Sequence, residues 1–492
     1  MKRRTVLGLG LVGVGAGTSL IDISEDPPLR GLAARPGLPW SGLLRTCPEL
    51  DRTLTISGAW PTGLRGALYR NGPGRLERGG AWKRSLLDGD GFVQAFHVAD
   101  GQVRYRSRYV QTAKYRAEEA AGRFTASTWS TQAPGGLWAN IAGLKLGYQA
   151  GITVIRDGAD LLAFDEPGHP YALDPETLAT REQTALGLPG AVYNAHSRVQ
   201  GGERLLFGLE YGRVTTIHAV ARAGGVTRWY RTFETPEAHF VHDWFVTPRW
   251  CVLLLQPLIA DAFPFLAGQR SLMSCLEWWP WLGTRILMIP RDGVGAPRWL
   301  EHDPVLFLHG INGFDDGDEV VVDLVTYDHP STLFGANALL ANVAADTLDR
   351  SVAPGRSARW RLSPGTGKVR SEPLPFTDCE MPVLLPADVG RPYASAWAVT
   401  ASSVPVLFFH GVARLDLGTG RADRFDYGPQ VFLSEPAPTA DGHLLVHGLD
   451  GAQDRSFLAV FRAAAVAAGP VATAWLDRGV HPGFHGCWDD RA

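Results

Sequence analysis

The chain has 492 residues, 45% of them hydrophobic and 20% charged, with a formal net charge of −3. That balance, without any Lys/Arg-rich run, leaves no electrostatic footprint for nucleic acid, and no tract is of low complexity. The five cysteines (Cys47, Cys251, Cys275, Cys379 and Cys487) are scattered without a CxxC pair, so neither a thiolate metal site nor a regular disulfide framework is indicated.

In chain order, Lys2, Arg3 and Arg4 precede an uncharged, apolar run from Thr5 to Leu20. A basic head before a short apolar stretch reads as an export signal rather than a spanning helix. The Arg3-Arg4-Thr5-Val6-Leu7 order resembles a twin-arginine signal, the bacterial route for proteins exported already folded around a cofactor. Residues 1–25 are therefore expected to be a twin-arginine-like signal or tether, and 26–492 a single domain. That domain is expected to be exported to the periplasm and membrane-associated; a cytoplasmic location is the alternative.

The remainder reads as strand, turn, strand. Tyr115 to Ala121 is one of few stretches with helical periodicity. Leu161 to Thr180 holds two apolar runs separated by Pro-Gly-His-Pro and followed by an Asp-Pro-Glu turn. Glu319 to Tyr327 is a β-branched run, and Arg414–Arg421 and Asp441–Leu449 show strand–Gly turn–strand patterns. Short strands at even spacing, with 57 Gly and 34 Pro spread among them, argue for an all-β propeller or large barrel rather than a βαβ sheet. The pattern alone does not fix a blade number. One segment, 253–289, is unusually apolar and aromatic, and Pro257, Pro264, Pro280 and Pro290 forbid a single long helix. It reads either as buried core or as an exposed lip making peripheral contact with a membrane.

Fourteen histidines offer candidate ligands, and no HExxH-type motif selects among them. The pairs His239/His242 and His481/His485 have tempting spacings. Positions three apart on a strand face opposite ways, however, so His239 and His242 are not expected at one metal.

Context is more informative than spacing. Asn194-Ala195-His196-Ser197, Val241-His242-Asp243-Trp244, Phe307-Leu308-His309-Gly310 and Gly483-Phe484-His485-Gly486 resemble, in order, the four histidine motifs of the carotenoid cleavage oxygenase family. Gly66 to Gly74 (GALYRNGPG), Asp88-Gly89-Asp90-Gly91 and Arg108-Tyr109-Val110 match it too. The resemblance runs from about residue 40 to the C-terminus. It implies a seven-bladed β-propeller with a cap of loops and short helices over an axial metal site. His196, His242, His309 and His485 would then hold Fe(II), at gaps of 46, 67 and 176 residues. Such gaps suit ligands from different blades and not a local zinc motif. Four neutral imidazoles suit Fe(II) and leave positions for O2. The implied reaction is oxidative cleavage of a conjugated C=C bond of a carotenoid or apocarotenoid into two carbonyl products. The apolar polyene and O2 would be its partners.

The family orients its histidines with three glutamates, and Glu166 and Glu380 match the first two. At the third, Gly428-Pro429-Gln430 places Pro429 where the resemblance puts a carboxylate, and Asp426 and Glu435 are the nearby acids that could replace it. The Glu after the third histidine is shortened to Asp315. Stilbene-cleaving relatives carry Lys before the first glutamate where this chain has Asp165, which weighs against phenolic alkene cleavage. A degenerate propeller that binds an apolar ligand without catalysis is the non-enzymatic alternative. Isomerohydrolase chemistry on retinyl esters fits poorly with a bacterial-looking leader.

Overall fold

The computed structural model describes residues 25–30, 40–330, 334, 343, 355–401 and 408–492. All but the last residue of the expected signal or tether, 1–25, lie outside them.

Among the described residues, seven sheets of four or more strands follow one another along the chain. Blade I joins Leu50–Thr53, Gly66–Asn71, Asp90–Ala99 and Gln102–Tyr109 to the C-terminal strand His485–Asp489. Blade II runs from Thr153–Asp157 through Asp160–Phe164 and Tyr171–Leu173 to Thr180–Gln183, and blade III from Arg198–Gln200 to Val226–Thr235. Blades IV, V and VI begin at Phe245–Val246, Leu306–Asp316 and Cys379–Val383, respectively. Blade VII begins at Val431–Leu433 and takes the early strand Thr55–Gly58 as its outermost member. Blades I and VII thus each combine strands from both ends of the chain. The ring closes twice, through His485–Asp489 against Gly66–Asn71 and through Thr55–Gly58 against Ala472–Trp475.

The core lies between blades, and this explains the sequence pattern. Glu319–Tyr327, covered on both faces, is mostly Val and Leu, interrupted by the ion-paired Asp323, and is almost wholly buried. The outermost strand Val226–Thr235 alternates exposed and half-buried positions instead. Leu205, Phe207 and Ile217 of blade III pack on Val241, Trp244, Leu253 and Leu287 of the next layer. The expected helix at Tyr115–Ala121 is Ala113–Ala121, capped by the Thr112 side chain and ended by Gly122 in the left-handed conformation. Asp441–Leu449 differs from its expected form. Asp441-Gly442 is the turn that precedes one strand, His443–Asp450.

The cap is small: Ala113–Ala121, Gly136–Asn140, Ala262–Leu266 and the loops around them. Segment 253–289 is partly core and partly exposed surface. Leu253–Leu255 and Ile286–Ile289 are core strand, whereas Phe263, Leu266 and Trp281 are 69%, 50% and 73% exposed. Trp278 and Trp279 are half-buried. No helix among the described residues is long and apolar enough to cross a membrane.

Candidate metal centre

Every blade sends one side chain to the axis. His196 and His242 lie just ahead of the innermost strands of blades III and IV, His309 is on that of blade V, and His485 begins that of blade I. Register shifts on both sides of Gly310 mark a bulge next to His309, which turns its ring inward. The glycines of the two His-Gly pairs permit close approach. A Cβ on Gly310 would run into the Phe245 ring, and one on Gly486 into the Tyr69 carbonyl. The other motif residues fasten blade to blade. Asn194 donates to the Val241 carbonyl at 2.8 Å, and Asp243 accepts the Gly310 amide at 2.9 Å.

The four rings are buried, with ligand atoms all within 4.8 Å of one another. Adjacent Nε2 atoms stand 3.0 Å (His196–His242), 3.2 Å (His242–His309) and 3.2 Å (His309–His485) apart. Behind them stand three carboxyl groups from the remaining blades. Glu166 accepts from His242 Nδ1 at 3.0 Å, Glu380 from His309 Nδ1, and Glu435 from His485 Nδ1 at 3.2 Å. Glu380 also accepts the Tyr327 hydroxyl at 2.5 Å and the Met381 amide at 2.5 Å. Burial alone would raise the carboxyls of Glu380 and Glu435, but the imidazoles beside them hold both below the ordinary range. His196 has no such acid; its Nδ1 is 4.0 Å from Asp243. Burial and the three neighbouring imidazoles push it well below its ordinary value.

Imidazoles that spend Nδ1–H on a carboxylate present the Nε2 lone pair inward. Several such lone pairs about 3 Å apart repel unless a cation sits among them. The donor set therefore fits a metal ion, and the outer carboxylates fix ring orientation and tautomer.

The third carboxylate corrects the sequence reading. Pro429 lies outside the site, in the turn before Val431–Leu433, and Glu435 follows two residues after that strand. The Glu435-Pro436 dipeptide was the overlooked signal. Asp426 pairs instead with His410 at 2.9 Å. Asp315 accepts from the Thr247 hydroxyl at 2.9 Å, away from the centre. His239 turns from the axis as expected, its Nδ1 on the Gln256 carbonyl at 2.8 Å, although it lies outside any regular strand. His481 likewise stands apart, its Nδ1 accepting the Gly483 amide at 3.0 Å.

Against the rings lies a cavity lined by Glu166, His242, His309 and His485 and otherwise by apolar side chains, among them Ile152, Phe240, Leu308 and Phe484. Its roof comes from the cap: Leu87, Trp129 and Met273. The Asp88-Gly89-Asp90-Gly91 motif holds that roof. Asp88 accepts the Ser130 amide at 2.8 Å and the Thr131 hydroxyl at 2.6 Å, and Asp90 accepts from Lys114 at 2.6 Å.

Residues 44–490 match the family model described as retinal pigment epithelial membrane protein. The chain belongs to that family. It is similar to the apocarotenoid-15,15'-oxygenase of Synechocystis, 28% identical over 88% of this chain and 92% of that protein. It is also similar to the isoeugenol monooxygenase of Pseudomonas putida, 29% identical over 89% and 94%. A crystal structure of a cobalt-substituted form of the Synechocystis protein superposes with a TM-score of 0.85 at 27% identity, covering 92% of this chain and 98% of that one. The expected relationship and the propeller are thereby borne out, and the relatives are enzymes.

Proposed function

We propose that this chain is a non-haem Fe(II) dioxygenase that cleaves a conjugated C=C bond of a carotenoid or apocarotenoid, R–CH=CH–R′ + O2 giving R–CHO and R′–CHO. The observation that carries the reading is the apolar cavity opening on three rings of a buried four-histidine cluster. His196, His242, His309 and His485 would hold the ion, with Glu166, Glu380 and Glu435 fixing the orientation and tautomer of three of the rings. Bound Fe(II) supplies the electrons that make O2 reactive toward an alkene. The surrounding side chains bind the hydrocarbon, exclude water and leave no acid or base in reach of the alkene that the metal shell has not already engaged.

Relatives named as isoeugenol monooxygenase and as lignostilbene dioxygenase favour one second reading, a phenolic alkene substrate. Among the described residues, the cavity lining contains no lysine or tyrosine to meet a phenol, which supports the polyene instead. The Arg3-Arg4 leader supports export of the folded, metal-loaded protein to the periplasm. Helix Ala262–Leu266 packs on the turn Ile141–Gly143. Exposed Phe263, Leu266, Trp138 and Leu144 around this contact would take substrate from a membrane.

The test is iron analysis combined with O2 uptake on an apocarotenal, β-carotene and isoeugenol. One O2 consumed per polyene cleaved, with two carbonyl products, is expected. Bound polyene without O2 uptake would make the protein a binder, and turnover of isoeugenol alone would establish the phenolic reading.

A further inference from the structure

Asp165 immediately precedes Glu166 and is as deeply buried, yet it does not orient a histidine. Its Oδ1 accepts the Trp129 indole N–H at 2.9 Å and the Glu166 amide at 3.1 Å, and its Oδ2 accepts the Gln149 amide at 2.9 Å. Its own amide donates to the Tyr148 hydroxyl at 2.8 Å. The indole it holds lines the cavity beside Met273, whose amide donates to the Trp129 carbonyl at 2.9 Å. Trp129 is 9% exposed, and its flanking residues are fixed through Ser130 and Thr131 to Asp88. A tryptophan has two side-chain torsions and one polar atom. With backbone pinned and N–H committed, this ring has no freedom to rotate about the cavity.

We propose that Trp129 is the specificity-determining residue of this cavity and Asp165 the positioning residue that holds it. Together they form a rigid aromatic wall against which a conjugated chain lies in one register relative to the four histidines. The wall also explains the absence of a polar handle. Among the described residues of the roof, the indole N–H is the one side-chain donor that a hydroxylated end group could use, and Asp165 takes it. An alkene held by ring contact alone is recognised by length and planarity, so the wall decides which double bond meets the metal. This inference rests on the alkene-cleavage reading, and its test separates the two.

The holoenzyme and its Trp129→Phe, Trp129→Ala, Asp165→Asn and Asp165→Ala variants are compared on apocarotenals of three chain lengths. Readouts are kcat/KM for each substrate, product masses and bound metal. Trp129→Ala and Asp165→Ala are expected to change the short-to-long kcat/KM ratio by tenfold or more and to yield a second pair of aldehydes, with metal content unchanged. Trp129→Phe, which keeps a ring, and Asp165→Asn, which keeps the Oδ1 acceptor, should move the ratio less than threefold. An unchanged ratio and a single product pair in folded, metal-loaded Trp129→Ala would overturn the proposal. So would losses that fall equally on all three substrates, which mark a merely structural role. Should Asp165→Ala not fold, the contrast between Trp129→Ala and Trp129→Phe decides. If the parent cleaves no polyene, the function reading fails. Binding of the same apocarotenals, followed by their absorption shift, then tests the wall by itself: Trp129→Ala must alter the length preference or the wall is refuted.

Discussion

Glu435 accepts a hydrogen bond from Nδ1 of His485 at 3.2 Å and from the Gly486 amide at 3.3 Å, which completes a set of three carboxyl groups behind the four histidines. Arg70, wholly buried, donates to the Glu435 carbonyl at 2.7 Å and adds a favourable charge. Glu435→Gln should therefore weaken metal binding or activity by roughly 10–100-fold, as loss of such an outer partner does elsewhere. Pro429→Glu, in a turn remote from the rings, should leave metal affinity unchanged. A competitive chelator titration of both variants checks this, and a Pro429→Glu protein that binds metal more tightly would contradict the placement.

Much of this was legible in the chain, and what was not has a physical cause. The four histidines stood out because each sits in a local motif whose other members, Asn194, Asp243, Gly310 and Gly486, have jobs in packing blade on blade. Strand periodicity indicated a closed all-β fold, but blade number is a property of pairing between distant segments. The mixing of both chain ends in blades I and VII leaves no local trace. Glu435 stood only as one of two candidates beside Asp426, because its position is set by where Val431–Leu433 ends rather than by a fixed offset from Pro429. The roles of Asp88 and Asp165 depend on cap loops that fold back over the axis, and no periodicity encodes that return.

Replacement of His242 or His309 by Ala should abolish metal binding and cleavage, because each removes an inward lone pair and leaves Glu166 or Glu380 a buried acid without its imidazole. His239→Ala is the matched control. Its ring lies on the Gln256 carbonyl, so it should cost some stability while bound metal stays stoichiometric. Metal analysis of the three folded variants distinguishes these outcomes; full metal in His242→Ala would sink the assignment.

Deletion from Val480 onward should cost more than a ligand. The strand His485–Asp489 pairs along its whole length with Gly66–Asn71, and the Val480 carbonyl accepts the Ser456 hydroxyl at 3.0 Å. Loss of that closure exposes the edge of blade I. The truncated protein should melt lower and aggregate, whereas His485→Ala in the full chain should lose metal and keep its fold. Equal melting temperatures for the two would show that the ring does not depend on this closure.

The exposed apolar patch gives a separable expectation. Phe263→Ser with Leu266→Ser should reduce flotation with liposomes several-fold, since each large apolar side chain contributes roughly 1.5–3 kcal/mol when buried. Metal content and activity on detergent-dispersed substrate should not change, because neither residue touches the cavity. Trp278 and Trp279 are poorer targets, being half-buried against the hairpin Leu258–Ala260 and Leu276–Trp278. Unaltered flotation in the double variant would remove the membrane from the proposal.

Acid stability should be governed away from the metal, by two buried imidazoles between blades I and VII. Burial pushes His447 down to about 3, with the nearby Arg70 adding to the effect and the Pro482 carbonyl opposing it. Burial likewise pushes His481 to about 3, helped by Arg45 and His447. His447 packs against the Phe96 ring at 4.8 Å, and His481 Nδ1 accepts the Gly483 amide, so the native fold holds both neutral. The unfolded chain binds protons at these sites below its ordinary value near 6.5, while the folded chain does not until about 3. Their contribution to stability is therefore complete above pH 6.5 and is lost as pH falls from 6.5 toward 3. Between pH 7 and pH 5 each site should cost roughly 2 kcal/mol, at 1.36 kcal/mol per unit. His447→Leu, which cannot take up a proton in either state, should narrow the difference in urea midpoint between those two pH values. A difference as large as that of the unsubstituted protein would assign the acid limb to other groups.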